Sequence, residues 1–128
     1  MIAEILISDE IIPLRTSDTG EEALSMMDDF YVRHLPIVNN KQLLGLISED
    51  DILNHDASEP VGSYSLSMTR PYASGKDHVY ELLRLLAEYH LTLIPVVDNE
   101  ENYIGVVTLE ALLMHFAQMA SFSEPGSI

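Results

Sequence analysis

Few residues in this chain have the types and spacings that chemistry requires. The five histidines stand at positions 34, 55, 78, 90 and 115 and show no metal-ligand spacing such as His-x-x-x-His. The chain has no cysteine, and therefore neither thiolate chemistry nor a disulfide framework. It contains no Walker loop and no dinucleotide-binding fingerprint. No nucleophile or acid–base pair is visible, so we do not expect an enzyme.

The carboxylates are the remaining candidates. Asp28, Asp29 and the run from Glu49 to Asp51 could attract a divalent cation. Charge runs are usually solvated faces, however, and we predict no metal site. Ser48 followed three residues later by Asp51 is an N-cap arrangement, with acidic residues where a helix N-terminus favours them. From residue types alone, this pair is interpreted as a helix cap.

Composition restricts the classes of partner. Six Lys and Arg against 21 Asp and Glu give a net charge of −15, which argues against nucleic acid and against an anionic membrane surface. No apolar run approaches the roughly 20 residues that span a bilayer. The first seven residues include an acid and no base, unlike a secretory signal. With 128 residues, 47% of them hydrophobic, we expect one small cytoplasmic domain.

The organisation of the chain is an internal repeat. Leu35-Pro36-Ile37-Val38 returns as Ile94-Pro95-Val96-Val97, and Gly45-Leu46-Ile47-Ser48 returns as Gly105-Val106-Val107-Thr108. The prolines are 59 residues apart and the glycines 60, so the second turn holds one extra residue. Each copy is predicted to be a β-hairpin that leads into a helix, and the copies are expected to share one structure.

Local signals place the elements of the first copy. We predict a short helix over residues 1–8 and an extended piece over 11–14. Thr19 and Glu22 form a capping-box pattern that opens a helix from Gly20 to Tyr31. Strands follow at about 35–39 and 43–48, and a short helix runs from Ser48 to about His55. The first long helix is expected to bury Ala23, Leu24, Met27 and Phe30.

The second copy repeats that order. An extended piece is predicted over 70–73, and His78 stands where a poorer cap would open a helix to about His90. Strands are predicted over 92–97 and 103–108. The inward positions of the two helices are predicted to be Val79, Leu82, Leu83, Leu86 and Ala87, then Leu112, Leu113, Phe116 and Met119.

This pattern resembles a pair of cystathionine-β-synthase (CBS) domains, known together as a Bateman module, over roughly residues 1–120. The resemblance implies an α+β fold in which two β-α-β-β-α repeats pack as a pseudo-twofold pair. The implied boundaries are residues 1–57 for repeat one, 58–69 for a connector and 70–120 for repeat two. Residues 121–128 would form a C-terminal tail, as expected of a linker to a further domain.

The resemblance also implies a ligand site in the first copy. The ribose-phosphate motif of the family, Gly-φ-x-Ser/Thr-x-x-Asp, is complete from Gly45 to Asp51. It assigns Ser48 to a phosphate and Asp51 to the ribose hydroxyls. The complete set of ligand-binding candidates is Thr16, Asp18, His34, Leu35, Pro36, Ser48 and Asp51. The second copy has Ala111 in place of the acid, and its weaker site would comprise Tyr72, Leu93 and Thr108.

Two functions follow from the resemblance. The first is a regulatory module that senses AMP, ADP, ATP or S-adenosylmethionine and controls a partner domain or protein. The alternative is a structural or dimerising CBS pair without a ligand, which the missing acid and the net charge of −15 favour. A homodimer is expected in either case, through helix positions Met26, Met27, Leu112, Leu113, Phe116 and Met119.

Overall fold

The structure is a computed structural model, and it describes residues 2–67 and 71–123. The first copy contains α1 (Gly20–Phe30), β1 (His34–Asn39), β2 (Gln42–Ser48) and α2 (Glu49–Leu53). The second contains β3 (Ala73–Ser74), α3 (Val79–Glu88), β4 (Leu93–Val97), β5 (Tyr103–Thr108) and α4 (Leu109–Ser123). Helix α4 enters the predicted tail, of which residues 124–128 lie outside the described residues. The α+β class is confirmed.

Both predicted hairpins are present, and they correspond residue for residue. Strand β1 pairs antiparallel with β2, and β4 pairs antiparallel with β5. The register shifts at Ile37/Val38 in the first copy and at Val96/Val97 in the second, which are 59 residues apart. Asn40 and Lys41 both have positive φ, as a two-residue hairpin turn requires. The longer second turn closes with the Asp98 N–H on the Asn102 carbonyl at 2.9 Å.

The first strand of each repeat is much shorter than a β-α-β-β-α scheme suggests. In the first copy it is a single parallel bridge between Leu14 and Ile37, and in the second it is the two-residue strand β3 beside β4. Pro13 has no N–H to donate, which limits pairing in the first copy to the hydrogen bonds of Leu14. Leu14 donates to Pro36 O at 2.8 Å and accepts from Val38 N at 2.9 Å.

Helix α1 begins as its sequence predicts. The Thr19 Oγ1 accepts the Glu22 N–H at 3.2 Å, and Glu22 Oε1 accepts the Thr19 N–H at 3.1 Å, which completes the capping box. His78 also caps α3, because its Nδ1 accepts the Tyr80 N–H at 3.1 Å. Tyr31 after α1 and His90 after α3 both adopt positive φ, so these two helices end in equivalent ways.

The core lies between the helices and the two hairpins. Several helix residues that were predicted to be buried are exposed. Ala23, Met27, Val79, Leu82, Leu86 and Leu112 are buried as predicted. Ala87 is exposed, however, and Leu113 and Met119 are 55% and 50% exposed. These side chains lie at the edge of the apolar stripe, where helical periodicity alone does not decide what covers them. Met27 and Leu112 are 2% and 0% exposed, so they belong to the core and not to an interface.

Two extended segments cross from one repeat to the other. The N-terminal residues form a short 3₁₀ helix (Ala3–Leu6) and not the predicted helix over 1–8. Its amides are bonded to the second copy, since Ala3 N donates to Asp77 O at 2.8 Å and Ser8 N donates to Val106 O at 2.8 Å. The connector, with a 3₁₀ turn at Val61–Ser63, packs on the first copy in the same way. In the described part of the chain, no helix has the length and apolarity that crossing a bilayer requires.

Candidate functional site

Ser48 and Asp51 lie together at the junction of β2 and α2. The Ser48 Oγ accepts the Asp51 N–H at 3.1 Å, and Asp51 Oδ2 accepts the Ser48 N–H at 3.0 Å. This is a reciprocal capping box, so the helix-cap interpretation of the pair is confirmed. Asp51 is only 3% exposed. Both predicted ligand groups are therefore already hydrogen-bonded within the chain.

The second oxygen of Asp51 is bonded to the connector. Its Oδ1 accepts the main-chain N–H of Ser67 at 3.0 Å. Burial by itself would raise the pKa of Asp51, but the hydrogen bonds from Ser48 and Ser67 outweigh it and hold the pKa below its usual value. The side chain is thus a carboxylate at neutral pH, and a bound carboxylate can accept from hydroxyl donors such as a ribose diol.

His34 links the two repeats next to this junction. It pairs with Ser48 in the hairpin register, and its Nδ1 accepts the Thr92 N–H at 3.2 Å. The Thr92 hydroxyl lies 2.8 Å from the same nitrogen and accepts the Arg33 N–H at 2.9 Å. Nδ1 is therefore an acceptor, and the ring is neutral with its proton on Nε2. Burial lowers the pKa of His34, and the charge of Asp51 acts in the opposite direction.

The other first-copy candidates serve structural roles. Leu35 is fully buried, and Pro36 is buried with its carbonyl accepting the Leu14 N–H. Thr16 is exposed, but its carbonyl accepts the Gly62 N–H at 3.0 Å. Asp18 accepts the Arg15 N–H at 2.8 Å, and its carbonyl accepts the Val61 N–H at 2.7 Å. Thr16 and Asp18 therefore hold the connector turn in this structure.

The second-copy candidates do not converge on one cavity. Leu93 is fully buried and pairs in register with Thr108. Thr108 lines a cavity of about 440 Å³ between the end of α1 and helix α4, together with Phe30, Tyr31, Val32, Thr92, Leu109, Glu110, Leu113, Met114 and Ala117. Tyr72 lines a different cavity, of about 460 Å³, beside the hairpin turns.

Three residues near the first-copy motif were not in the predicted site. They are Thr92, which binds His34, and Leu66 and Ser67, which contact Gly45 and Asp51. The repeat offset could have indicated the two connector residues in advance, because Leu66 and Ser67 lie 59 residues after Ile7 and Ser8. Among residues 2–67 and 71–123, no group of three or more His, Asp or Glu side chains could hold a metal ion.

Comparison with known sequences identifies one domain family, matched twice along the chain. The sequence model of the CBS domain matches residues 2–58 and again residues 61–118. The chain is 31% identical over 114 residues to inosine-5'-monophosphate dehydrogenase of Methanocaldococcus jannaschii. It is 28% identical, also over 114 residues, to the magnesium transporter MgtE of Thermus thermophilus. These matches cover 86% and 84% of the chain, but the chain spans only 22% and 25% of the two relatives.

Solved structures share the fold. A CBS domain pair/ACT domain protein from Thermotoga maritima superposes with a TM-score of 0.80 at 21% identity, over 93% of this chain and 98% of that one. CBSX2 in complex with AMP gives a TM-score of 0.77 at 21% identity with the same coverage. The cytosolic domain of MgtE in complex with ATP gives 0.67 at 26% identity, over 86% of this chain and 46% of that one. Two matches of the family model, in register with two structural repeats, show that the chain belongs to the CBS domain family and is a tandem CBS pair.

Proposed function

We propose that this CBS pair is a regulatory module that binds an adenosine-containing ligand in the first copy and thereby controls a partner domain or protein. The observation that carries the proposal is the arrangement around Asp51. An ionised carboxylate lies beside the Ser48 hydroxyl, the imidazole of His34 begins the strand that pairs with β2, and the cation Arg33 directly precedes it. A carboxylate suits a ribose diol, and Arg33 with Ser48 supplies donors for a phosphate.

The comparisons support this class of ligand. CBSX2 was solved with AMP, and the cytosolic domain of MgtE was solved with ATP. The CBS domain of a bacterial CNNM/CorC family Mg²⁺ transporter was also solved with ATP, at a TM-score of 0.70 and 19% identity. Much of each curated relative lies outside the region matched here. Control of an attached or associated catalytic or transport unit is therefore the role we propose.

The affinity is expected to be modest. Helix α2 has only five residues, so its N-terminus contributes little dipole to a phosphate. The net charge of −15 repels an anionic ligand over the range that salt does not screen. The positive charge of Arg33 would have to offset that repulsion locally, and the neutral His34 could add only a hydrogen-bond donor at Nε2.

The alternative function is a structural CBS pair without a ligand. The capping box of Ser48 and Asp51 favours it, because both groups have partners within the chain. Exposed apolar side chains on two helices also favour association, and we propose that the chain forms a homodimer through them. They are Tyr80 on α3 and Leu113, Met114 and Met119 on α4, each between 50% and 62% exposed.

Calorimetry with AMP, ATP and S-adenosylmethionine tests the ligand proposal. We expect one site per chain. Asp51→Ala should weaken binding about tenfold to a hundredfold, since a hydrogen bond to a charged group contributes roughly 1.5–3 kcal/mol. The matched control is Asp50→Ala, which removes an exposed carboxylate from the neighbouring position. Thr108→Ala should have a smaller effect than Asp51→Ala.

Circular dichroism would confirm that each variant is folded before its binding is compared. Equal loss in the Asp50 and Asp51 variants would refute the assigned site. No heat with any of the three compounds would favour the structural alternative.

A further inference from the structure

The connector covers the ligand motif of the first copy. Leu66 lies directly on Gly45, so that a Cβ at position 45 would come within 2.8 Å of Leu66 Cδ1. The next residue, Ser67, donates its main-chain N–H to Asp51 at 3.0 Å. A ribose diol that needs the Asp51 carboxylate would meet this segment first.

The start of the connector is anchored to α1 and its preceding loop, whereas Ser67 is held by its bond to Asp51. Val61 and Gly62 donate to Asp18 O and Thr16 O, and the Tyr64 hydroxyl donates to Asp56 O at 2.7 Å. Val61 and Tyr64 are buried. Farther along, the Ser65 N–H reaches His55 Nε2 only at 3.4 Å, and Ser65 and Ser67 are exposed. Leu66 is only partly buried at the edge of the core and Ser67 is exposed, whereas the anchoring residues Val61 and Tyr64 are buried.

The second copy shows another position for the equivalent amide. Ile7, 59 residues before Leu66, lies on Gly105 just as Leu66 lies on Gly45. Ser8, 59 residues before Ser67, donates its N–H to the main-chain carbonyl of Val106 at 2.8 Å. It has no carboxylate to bind at the motif position, because Ala111 stands there. In the first copy the equivalent acceptor is the carbonyl of Leu46. Leu46 pairs with Pro36 in the hairpin register, and Val106 pairs with the equivalent proline, Pro95.

We propose that Leu66 and Ser67 form a latch that competes with the ligand for Asp51. In the closed position, seen here, the Ser67 N–H occupies the carboxylate. In the open position it transfers to the Leu46 carbonyl, as the Ser8 N–H binds Val106, and Asp51 becomes available to hydroxyl donors. The proposal rests on the proposed function, and it means that ligand binding moves the segment that joins the two repeats.

The latch has a measurable consequence for affinity. When only a fraction of the molecules is open, the apparent Kd is the intrinsic Kd divided by that fraction. A variant that cannot close should therefore bind more tightly than the wild type. Ser67→Pro removes the N–H that closes the latch, and Leu66→Ala removes the side chain that rests on Gly45.

The experiment measures AMP binding by calorimetry for the wild type and matched variants. We expect Ser67→Pro to bind AMP about tenfold more tightly, and Leu66→Ala to change affinity in the same direction. The controls are Ser8→Pro and Ile7→Ala, which make the same changes at the second copy and should leave AMP affinity unchanged. Leu66→Ala keeps the test valid if the proline variant does not fold.

The outcomes separate the latch from the proposed function. Tighter binding in the connector variants alone supports the latch. AMP binding that is equal in the wild type and the connector variants, or weaker in the variants, overturns the latch and leaves the proposed function standing. AMP binding to none of these proteins overturns both.

Discussion

At the scale of single residues, the site is defined by side chains whose hydrogen bonds are already made. Asp51 accepts two main-chain amides, and His34 accepts the amide of Thr92 from the other repeat. A buried group of this kind stabilises the fold only in the protonation state that suits its partners. The same residues proposed to bind a ligand therefore also make stability depend on pH.

His34 carries the first pH prediction. Its pKa is lowered by burial, so the unfolded chain binds the proton more readily than the native state. The stabilisation is present above the unfolded pKa of about 6.5 and is lost as pH falls below it. Asn at position 34 can accept the Thr92 N–H but does not titrate. Relative to His34→Asn, the wild type should lose stability between pH 7.5 and 5.5, because protonation of Nδ1 breaks its hydrogen bond with the Thr92 N–H.

Urea unfolding across that pH range measures the difference. The lowered pKa of Asp51 also favours unfolding in acid, but at lower pH, because its unfolded value lies near 3.8. Parallel stability profiles for the wild type and His34→Asn would contradict the assigned role of His34.

At the scale of elements, the connector packs tightly against the start of α1. Gly20 opens that helix and is buried, and a Cβ there would overlap the Tyr64 hydroxyl and lie 3.0 Å from Ala57 Cα and Ile52 Cγ2. The helix and the connector are also joined by the Gly20 N–H, which donates to Glu59 O at 3.3 Å, and the Glu21 N–H donates to Ala57 O, just before the connector, at 2.9 Å. Glycine at this position is required by close approach and not by an unusual backbone conformation.

Gly20→Ala should reverse the usual effect of this change. In an exposed helix the substitution stabilises by about 1 kcal/mol, because alanine has the higher helix propensity. Here we expect the free energy of unfolding to fall by about 1–3 kcal/mol, the usual cost of overpacking. The measurement is chemical denaturation, repeated in the Tyr64→Phe background, where the missing hydroxyl should reduce the cost. A more stable Gly20→Ala protein would show that the connector is loosely packed.

At the scale of the whole molecule, charge and apolar surface act in opposite directions. The net charge of −15 keeps copies apart, whereas the exposed side chains of α4 favour their association. The charge is distributed over the surface and is screened by salt, but apolar burial is not. Association should therefore be stronger at higher salt.

The dimer prediction follows from that balance. Sedimentation at micromolar concentration and 0.15 M salt should give twice the chain mass of 14.3 kDa. Leu113→Glu, on the exposed side of α4 beside the buried Leu112, should weaken association at least about tenfold, because it places a charge in an apolar contact. Gln42→Glu adds the same charge at an exposed position of β2, on neither helix of the proposed interface, and serves as control. A wild-type monomer mass would exclude the proposed interface.

The sequence by itself determined the features whose contacts close within a few residues. The capping boxes of Thr19 with Glu22 and of Ser48 with Asp51 each join residues three positions apart. Both could be predicted from the residue types and their spacing. The 59-residue repeat likewise predicted two similar hairpins, because alternating apolar strands around a polar turn specify local pairing.

Only the tertiary structure decided which groups meet over long stretches of chain. The Ser67–Asp51 bond spans 16 residues and the His34–Thr92 contact spans 58, and neither follows from periodicity. The burial of Ala87 was also not predictable from the sequence: helical spacing predicted that it is buried, but it is exposed in the fold. Such outcomes depend on how the repeats and the connector pack together, which propensity and spacing do not encode locally. The accessibility of Asp51 to a ligand is therefore a property of the packed pair and not of the motif.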